Sequence, residues 1–120
     1  MTASEIRTDR ESSGISVIAV AGEHDLTTSQ QLRDQIDAAV ASADPIVVDL
    51  GAATFVDSSI LATLVDGGRR AGAAGVGYAL LIPPDASSGV RRVVEVTGLH
   101  AAVEIAAARE EAEQKAGASR

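Results

Sequence analysis

Hydrophobic and polar positions recur along this chain with two different periods, and the points where the period changes divide it into elements. Ile15-Ser16-Val17-Ile18-Ala19-Val20 is short and rich in β-branched residues, and it follows the turn residues Glu11-Ser12-Ser13-Gly14. Together with the weaker strand pattern of residues 4–10 it predicts an antiparallel hairpin whose first strand is an edge. After Gly22 the period lengthens. Thr28 or Ser29 can cap a helix that puts Leu32, Ile36, Ala39 and Val40 on one face and Gln31, Arg33, Asp34 and Asp37 on the other. Ile46-Val47-Val48-Asp49-Leu50, bounded by Pro45 and Gly51, reads as a buried strand. A connection ending in Phe55-Val56 leads to a second helix from about Ser58 to Ala71, with Leu61, Leu64, Val65 and Gly68 as its apolar stripe and Gly72 and Gly75 marking its end.

Val76 to Ile82 forms a third buried strand, halted by Pro83-Pro84. Ser87 or Ser88 can cap a helix with Val90, Val93, Val94 and Thr97 inward, and Gly98 suits the left-handed position that closes it. Ala102 to Ile105 is short enough for a last strand, followed by an Ala/Glu-rich helix in which Glu111 and Lys115 make a favourable i, i+4 pair. A hairpin followed by alternating helices and strands implies an α/β fold: a mixed sheet with parallel crossovers and consecutive helices on one face. The opposite face then meets solvent or carries a small covering element.

Composition narrows the possibilities. A chain of 120 residues fits one domain, and its 46 % hydrophobic content is aliphatic, with Phe55 and Tyr78 the only aromatic residues. A net charge of −7 argues against nucleic acid, whose binders need a basic surface to displace counterions. The chain has no cysteine, so neither disulfides nor thiolate chemistry enter. Its start, Met1-Thr2-Ala3-Ser4-Glu5, has no basic stretch leading into an apolar segment, and no apolar run approaches the roughly 20 residues that span a bilayer. A cytoplasmic protein without a membrane partner is the expectation.

Candidate chemistry concentrates at Asp57-Ser58-Ser59, where the second helix begins. Asp57 is a natural N-cap, which would leave the Ser58 hydroxyl on the first exposed position of the turn. The unpaired N–H groups and partial positive charge of a first turn favour an added phosphate there. Gly22-Glu23-His24-Asp25 reads as a strand-ending turn, with His24 as an ordinary surface histidine. His100 stands alone, so no metal site is expected. The glycines from Gly67 to Gly77 end a helix and precede a strand, the reverse of a nucleotide loop, and no cofactor is expected. An enzyme using Ser58 as nucleophile would need a base and an orienting group; His24 and His100 are the only histidines, and no Gly-x-Ser-x-Gly surrounds the serine. A binding protein is expected rather than an enzyme.

Four ordered segments carry a family resemblance: Gly22-Glu23-His24-Asp25, hydrophobic-Asp49-Leu50 followed by Asp57-Ser58-Ser59, Pro83-Pro84, and Thr97-Gly98-Leu99. Together they resemble the STAS-domain anti-sigma factor antagonists, or anti-anti-sigma factors. The resemblance implies the STAS fold over a single domain 1–120, with a core of about 4–106, a mixed sheet of four or five strands, helices mainly on one face, and a C-terminal helix over about 106–117. It implies a partner with anti-sigma and serine-kinase activity, whose binding releases a sigma factor and ends when Ser58 is phosphorylated, and a phosphoserine phosphatase that reverses the modification. The partner-facing surface it implies comprises Glu23, Asp25, Thr28, Asp57, Ser59 and Ile60. Two positions depart from the pattern: His24 replaces a hydrophobic residue, and Ile60 replaces the usual glycine. Ile60 lies at the edge of the predicted apolar stripe, so it is either part of the core or an exposed contact that narrows partner choice. The same fold also serves non-phosphorylated scaffolds and accessory subunits of stressosome-type or lipid-transport assemblies.

Overall fold

Strand and helix formation follow the two periods, with shifts at their boundaries. The computed structural model describes residues 4–118. Its elements are β1 (Glu5–Arg10), β2 (Ser16–His24), α1 (Leu26–Ala41), β3 (Ile46–Asp49), β4 (Ala53–Val56), α2 (Ser58–Ala73), β5 (Tyr78–Leu81), α3 (Ser88–Thr97), β6 (Ile105–Ala106) and α4 (Arg109–Ala118), with a 3-10 turn at Leu99–Ala101. The β1–β2 hairpin is antiparallel and β1 is an edge, as the pattern predicts. From β2 onward the pairing is parallel, in the order β1-β2-β3-β5-β6.

Beyond the four or five expected strands there is a sixth, β4, in the segment read as a connection. β2 does not stop at Gly22 but runs on to His24, and its far half pairs in parallel with β4 across an irregularity between Gly22 and Glu23. The backbone groups of residues 53–56 thereby find partners. The last strand is also shorter and later than expected. Residues 99–101 form the 3-10 turn that closes α3 through Gly98 (φ 66°), and only Ile105 and Ala106 reach β5.

Alternation along the strands sorts the core into two layers. Ile18, Val20, Ile46, Val48, Tyr78 and Leu80 face α1, α2 and α3, whose Leu32, Ile36, Ile60, Leu64 and Val90 complete the larger cluster. Val17, Val47, Ala79, Leu81 and Ala106 face the other way, against Ala112 and Ala116 of α4. The covering element is therefore the C-terminal helix, and it lies close to the sheet. A Cβ on Gly77 would sit 1.5 Å from the Ala116 carbonyl oxygen, so only glycine permits this approach. Arg109 ties α4 to Glu11 and Lys115 donates to the Ile105 carbonyl at 2.9 Å, while Arg109–Glu113 and Lys115–Glu111 (3.9 Å) are i, i+4 pairs within the helix.

Helix α2 is turned by about one residue from its predicted face. Its buried positions are Ile60, Leu64, Gly67 and Ala71, while Leu61 and Val65 are only half-buried. On the sheet side, Tyr78 lies beneath Gly67 and Gly68 and donates its hydroxyl to the Leu64 carbonyl at 2.7 Å. Burial pushes the Tyr78 phenol well above its usual range. Along the outer contact of α1 and α2, Arg70 bridges Asp37 and Asp66, and Arg33 approaches the same two carboxylates.

Candidate functional site

The site grows out of the β2–β4 pairing. His24 stands opposite Val56, so the next residues, Asp25 and Asp57, end parallel strands side by side, and each is the N-cap of the helix that follows. Asp25 accepts from the Thr27 N–H at 2.9 Å and the Thr27 hydroxyl at 2.5 Å, and Thr28 Oγ1 accepts from the Asp25 N–H at 3.3 Å. The first helix accordingly starts at Leu26, capped by Asp25 instead of the expected Thr28 or Ser29.

Asp57 does more than cap its own helix. One carboxylate oxygen accepts from the Ser59 hydroxyl at 2.6 Å, the Ser59 N–H at 3.0 Å and the Ile60 N–H at 3.1 Å. The Ser59 hydroxyl is the main cause that lowers the Asp57 pKa; the N–H groups of Ile60, Ser59 and Leu26 add to it against an opposing effect of burial. Leu26 is the first residue of α1, so the α1 start adds a small favourable effect to a carboxylate held by the first turn of α2.

This arrangement separates the two serines. Ser59 is half-buried and its hydroxyl is committed to Asp57. Ser58 is exposed, and among the described residues its hydroxyl has no hydrogen-bond partner. Of the two serines, only Ser58, the one expected at the exposed position of the turn, presents a free hydroxyl among the described residues.

Of the other residues expected on a partner-facing surface, Glu23 and Asp25 are exposed beside Ser58's helix start. Thr28 is half-buried and its hydroxyl is occupied by His24 and the Asp25 backbone. Ile60 is a correction: it is fully buried at the centre of the α2 core stripe and offers nothing to a partner. The one-residue rotation of α2 carries it from the edge of the stripe to the middle. His24 is a second correction, being 2 % exposed where a surface histidine was expected. Because β2 continues through it, its ring turns inward at the family's hydrophobic position. Nε2 donates to the Ala21 carbonyl at 2.7 Å and Nδ1 lies 3.0 Å from Thr28 Oγ1, so both nitrogens are engaged. Neither is available to Ser58 as a base.

Two residues that sequence reasoning passed over flank the site. Leu26 is 73 % exposed and Phe55 48 % exposed, and Phe55 sits opposite Glu23 in the β2–β4 pairing. Leu26 could have been found as the apolar residue directly after a cap, where the first turn faces water. Phe55 could not be placed without knowing that its segment is a strand. Among the described residues there is no grouping of His, Asp or Glu able to hold a metal, and no helix long and apolar enough to cross a membrane.

A family model described as "Mlab, STAS domain" matches residues 8–106. The chain belongs to the STAS-domain family. Solved structures agree with that membership. An anti-sigma factor antagonist from Mycobacterium paratuberculosis is 27 % identical, with a TM-score of 0.75 over 95 % of this chain and 92 % of that one. The Bacillus cell fate determinant SpoIIAA in its phosphorylated form is 25 % identical, with a TM-score of 0.67 over 92 % and 97 %. A STAS-domain protein from Planctomyces limnophilus is 23 % identical, with a TM-score of 0.72 over 98 % and 99 %. No curated protein matches the sequence. The six-stranded mixed sheet and four helices described above are thus a STAS fold, and the paired caps at Asp25 and Asp57 lie where two of its helices begin.

Proposed function

We propose that this STAS domain is a cytoplasmic anti-sigma factor antagonist. In its unmodified form it binds an anti-sigma factor that is also a serine kinase, and so releases a sigma factor; phosphorylation of Ser58 ends the association. The observation that carries this reading is the contrast between the exposed, unbonded Ser58 hydroxyl and the Asp57-bound hydroxyl of Ser59. It is supported by the 27 % identical relative, an anti-sigma factor antagonist, and by SpoIIAA, solved in a phosphorylated form.

The chemistry fits a switch. Phosphate adds roughly −1.5 to −2 charges at pH 7. At the first turn of α2 the backbone N–H groups and helix dipole offset part of that charge, so the fold tolerates it. Glu23, Asp25 and the ionised Asp57 already make this surface acidic, and a partner matched to the unmodified surface meets added bulk and charge. ATP and magnesium belong to the kinase, and a phosphoserine phosphatase restores the free hydroxyl.

Incubation with the cognate kinase and ATP, followed by peptide mapping, should put the phosphate on Ser58. Ser58→Ala should melt as wild type does and keep binding, while Ser58→Glu should fold and bind weakly. A STAS scaffold or accessory subunit that works without phosphorylation predicts equal binding by the two variants. That result, or modification at Ser59, Thr27 or Ser87 instead, would overturn the assignment.

A further inference from the structure

Helix α2 carries two stripes, of which only one is spent on the core. Ile60, Leu64, Gly67 and Ala71 are buried; Ser58, Leu61, Ala62, Val65 and Arg69 follow each other at helical spacing along the adjoining face. This second stripe lines one wall of an open groove, and the turn at Gly98-Leu99 lines the other. Ser58 stands at one end. Arg69, eleven positions further on, lies about 16 Å away at 1.5 Å per residue.

Arg69 is exposed and has no ion pair or hydrogen bond among the described residues. Among these residues Arg7, Arg10, Arg33, Arg70, Arg109 and Lys115 pair with carboxylates, whereas Arg69, Arg91 and Arg92 do not, and of these three only Arg69 lines the groove. Acidic residues outnumber basic ones seventeen to ten in the chain, yet none lines the groove and this guanidinium stands at the end of an apolar row. The groove therefore lacks both a cover for Leu61 and Val65 and a counter-charge for Arg69. Any kinase that takes the Ser58 hydroxyl into its active site must lie over the end of this same groove.

We infer that the groove seats an apolar segment of the anti-sigma kinase whose own Asp or Glu pairs with Arg69. The inference rests on Ser58 as the phosphoacceptor and adds the chemistry by which the partner is chosen. A guanidinium fork takes a carboxylate in two parallel hydrogen bonds, so the pair fixes register along the groove as well as adding attraction.

The test uses full-length protein and the purified anti-sigma serine kinase that phosphorylates it, with affinity measured by calorimetry. Arg69→Glu should weaken binding about tenfold or more, and the loss should shrink at high salt. Ala62→Trp, which fills the groove from an exposed position, should weaken binding without lowering the melting temperature. Arg92→Glu, an exposed arginine of α3 outside the groove, should bind within about twofold of wild type. Reversal of one acidic residue of the kinase should restore binding to Arg69→Glu. If Arg69→Glu and Ala62→Trp bind as wild type while Ser58→Glu binds weakly, the groove assignment is wrong and the phosphoacceptor reading stands. If Ser58→Glu binds as wild type, or no serine kinase modifies the protein, the reading itself fails and the groove assignment falls with it. Arg69-dependent binding of oleate, with kinase affinity unchanged in Arg69→Glu, would make the groove a fatty-acid site and overturn the inference.

Discussion

Asp57 holds its position by charge. Its carboxylate is kept ionised by the Ser59 hydroxyl and by N–H groups from the first turns of both α2 and α1. A carboxylate whose folded pKa lies below its unfolded value near 3.8 adds stability at pH values above that unfolded value, and the contribution disappears as pH falls through the folded pKa. Wild type should accordingly lose melting temperature more steeply than Asp57→Asn between about pH 5 and pH 2, since the amide keeps an acceptor but does not titrate. Ile60→Ala should cost about 2–5 kcal/mol by leaving a cavity in the centre of the core, with the affinity of the folded fraction unchanged. Ala43 offers the opposite effect. It closes α1 at φ 58°, a left-handed conformation that strains a Cβ, and Ala43→Gly should raise stability by about 0.5–1 kcal/mol in a denaturant titration without touching the site.

Among the elements, α4 is the one that combines small buried side chains with a close backbone approach to the sheet, beside the Arg109–Glu11 pair and the Lys115 bond to the Ile105 carbonyl. Its buried side chains are the alanines 112 and 116, too small to hold a helix by apolar area alone, so closeness to the sheet at Gly77 matters more than usual. Gly77→Ala should release α4 before anything else: hydrogen exchange in residues 109–118 should rise sharply, while α1 and α2 stay protected. The sequence was legible where period and burial agreed. The hairpin, strands β3 and β5 and the first three helices follow from apolar spacing, the last helix from its Ala/Glu composition, and Asp57-Ser58-Ser59 marked the candidate site. It was not legible where neighbouring elements decide. β4 exists because β2 overruns its apolar stretch and offers it a partner; a four-residue strand with one buried residue at each end has no period of its own to read. The rotation of α2 follows from Tyr78 filling the space under Gly67 and Gly68, a contact between distant segments. His24 was misread for the same reason, because its inward direction depends on the length of β2.

At the scale of the whole molecule, the two titrating groups bound the range over which the fold holds. Tyr78 is buried with its hydroxyl donated to Leu64, so its folded pKa lies far above the unfolded value of 10.0. A raised pKa of this kind favours the fold below the unfolded value and works against it as pH climbs beyond, where only the unfolded chain can ionise. Stability should therefore decline from about pH 10 upward, and Tyr78→Phe should flatten that limb while costing about 0.5–1.5 kcal/mol at neutral pH for the lost hydrogen bond. The same residue has an optical consequence. The chain has one tyrosine and no tryptophan, so nearly all of its near-ultraviolet dichroism and intrinsic emission comes from a single ring wedged between β5 and the middle of α2. Any event that tilts α2, whether a partner settling on its outer face or a phosphate arriving at its first turn, will be recorded by that chromophore without a label.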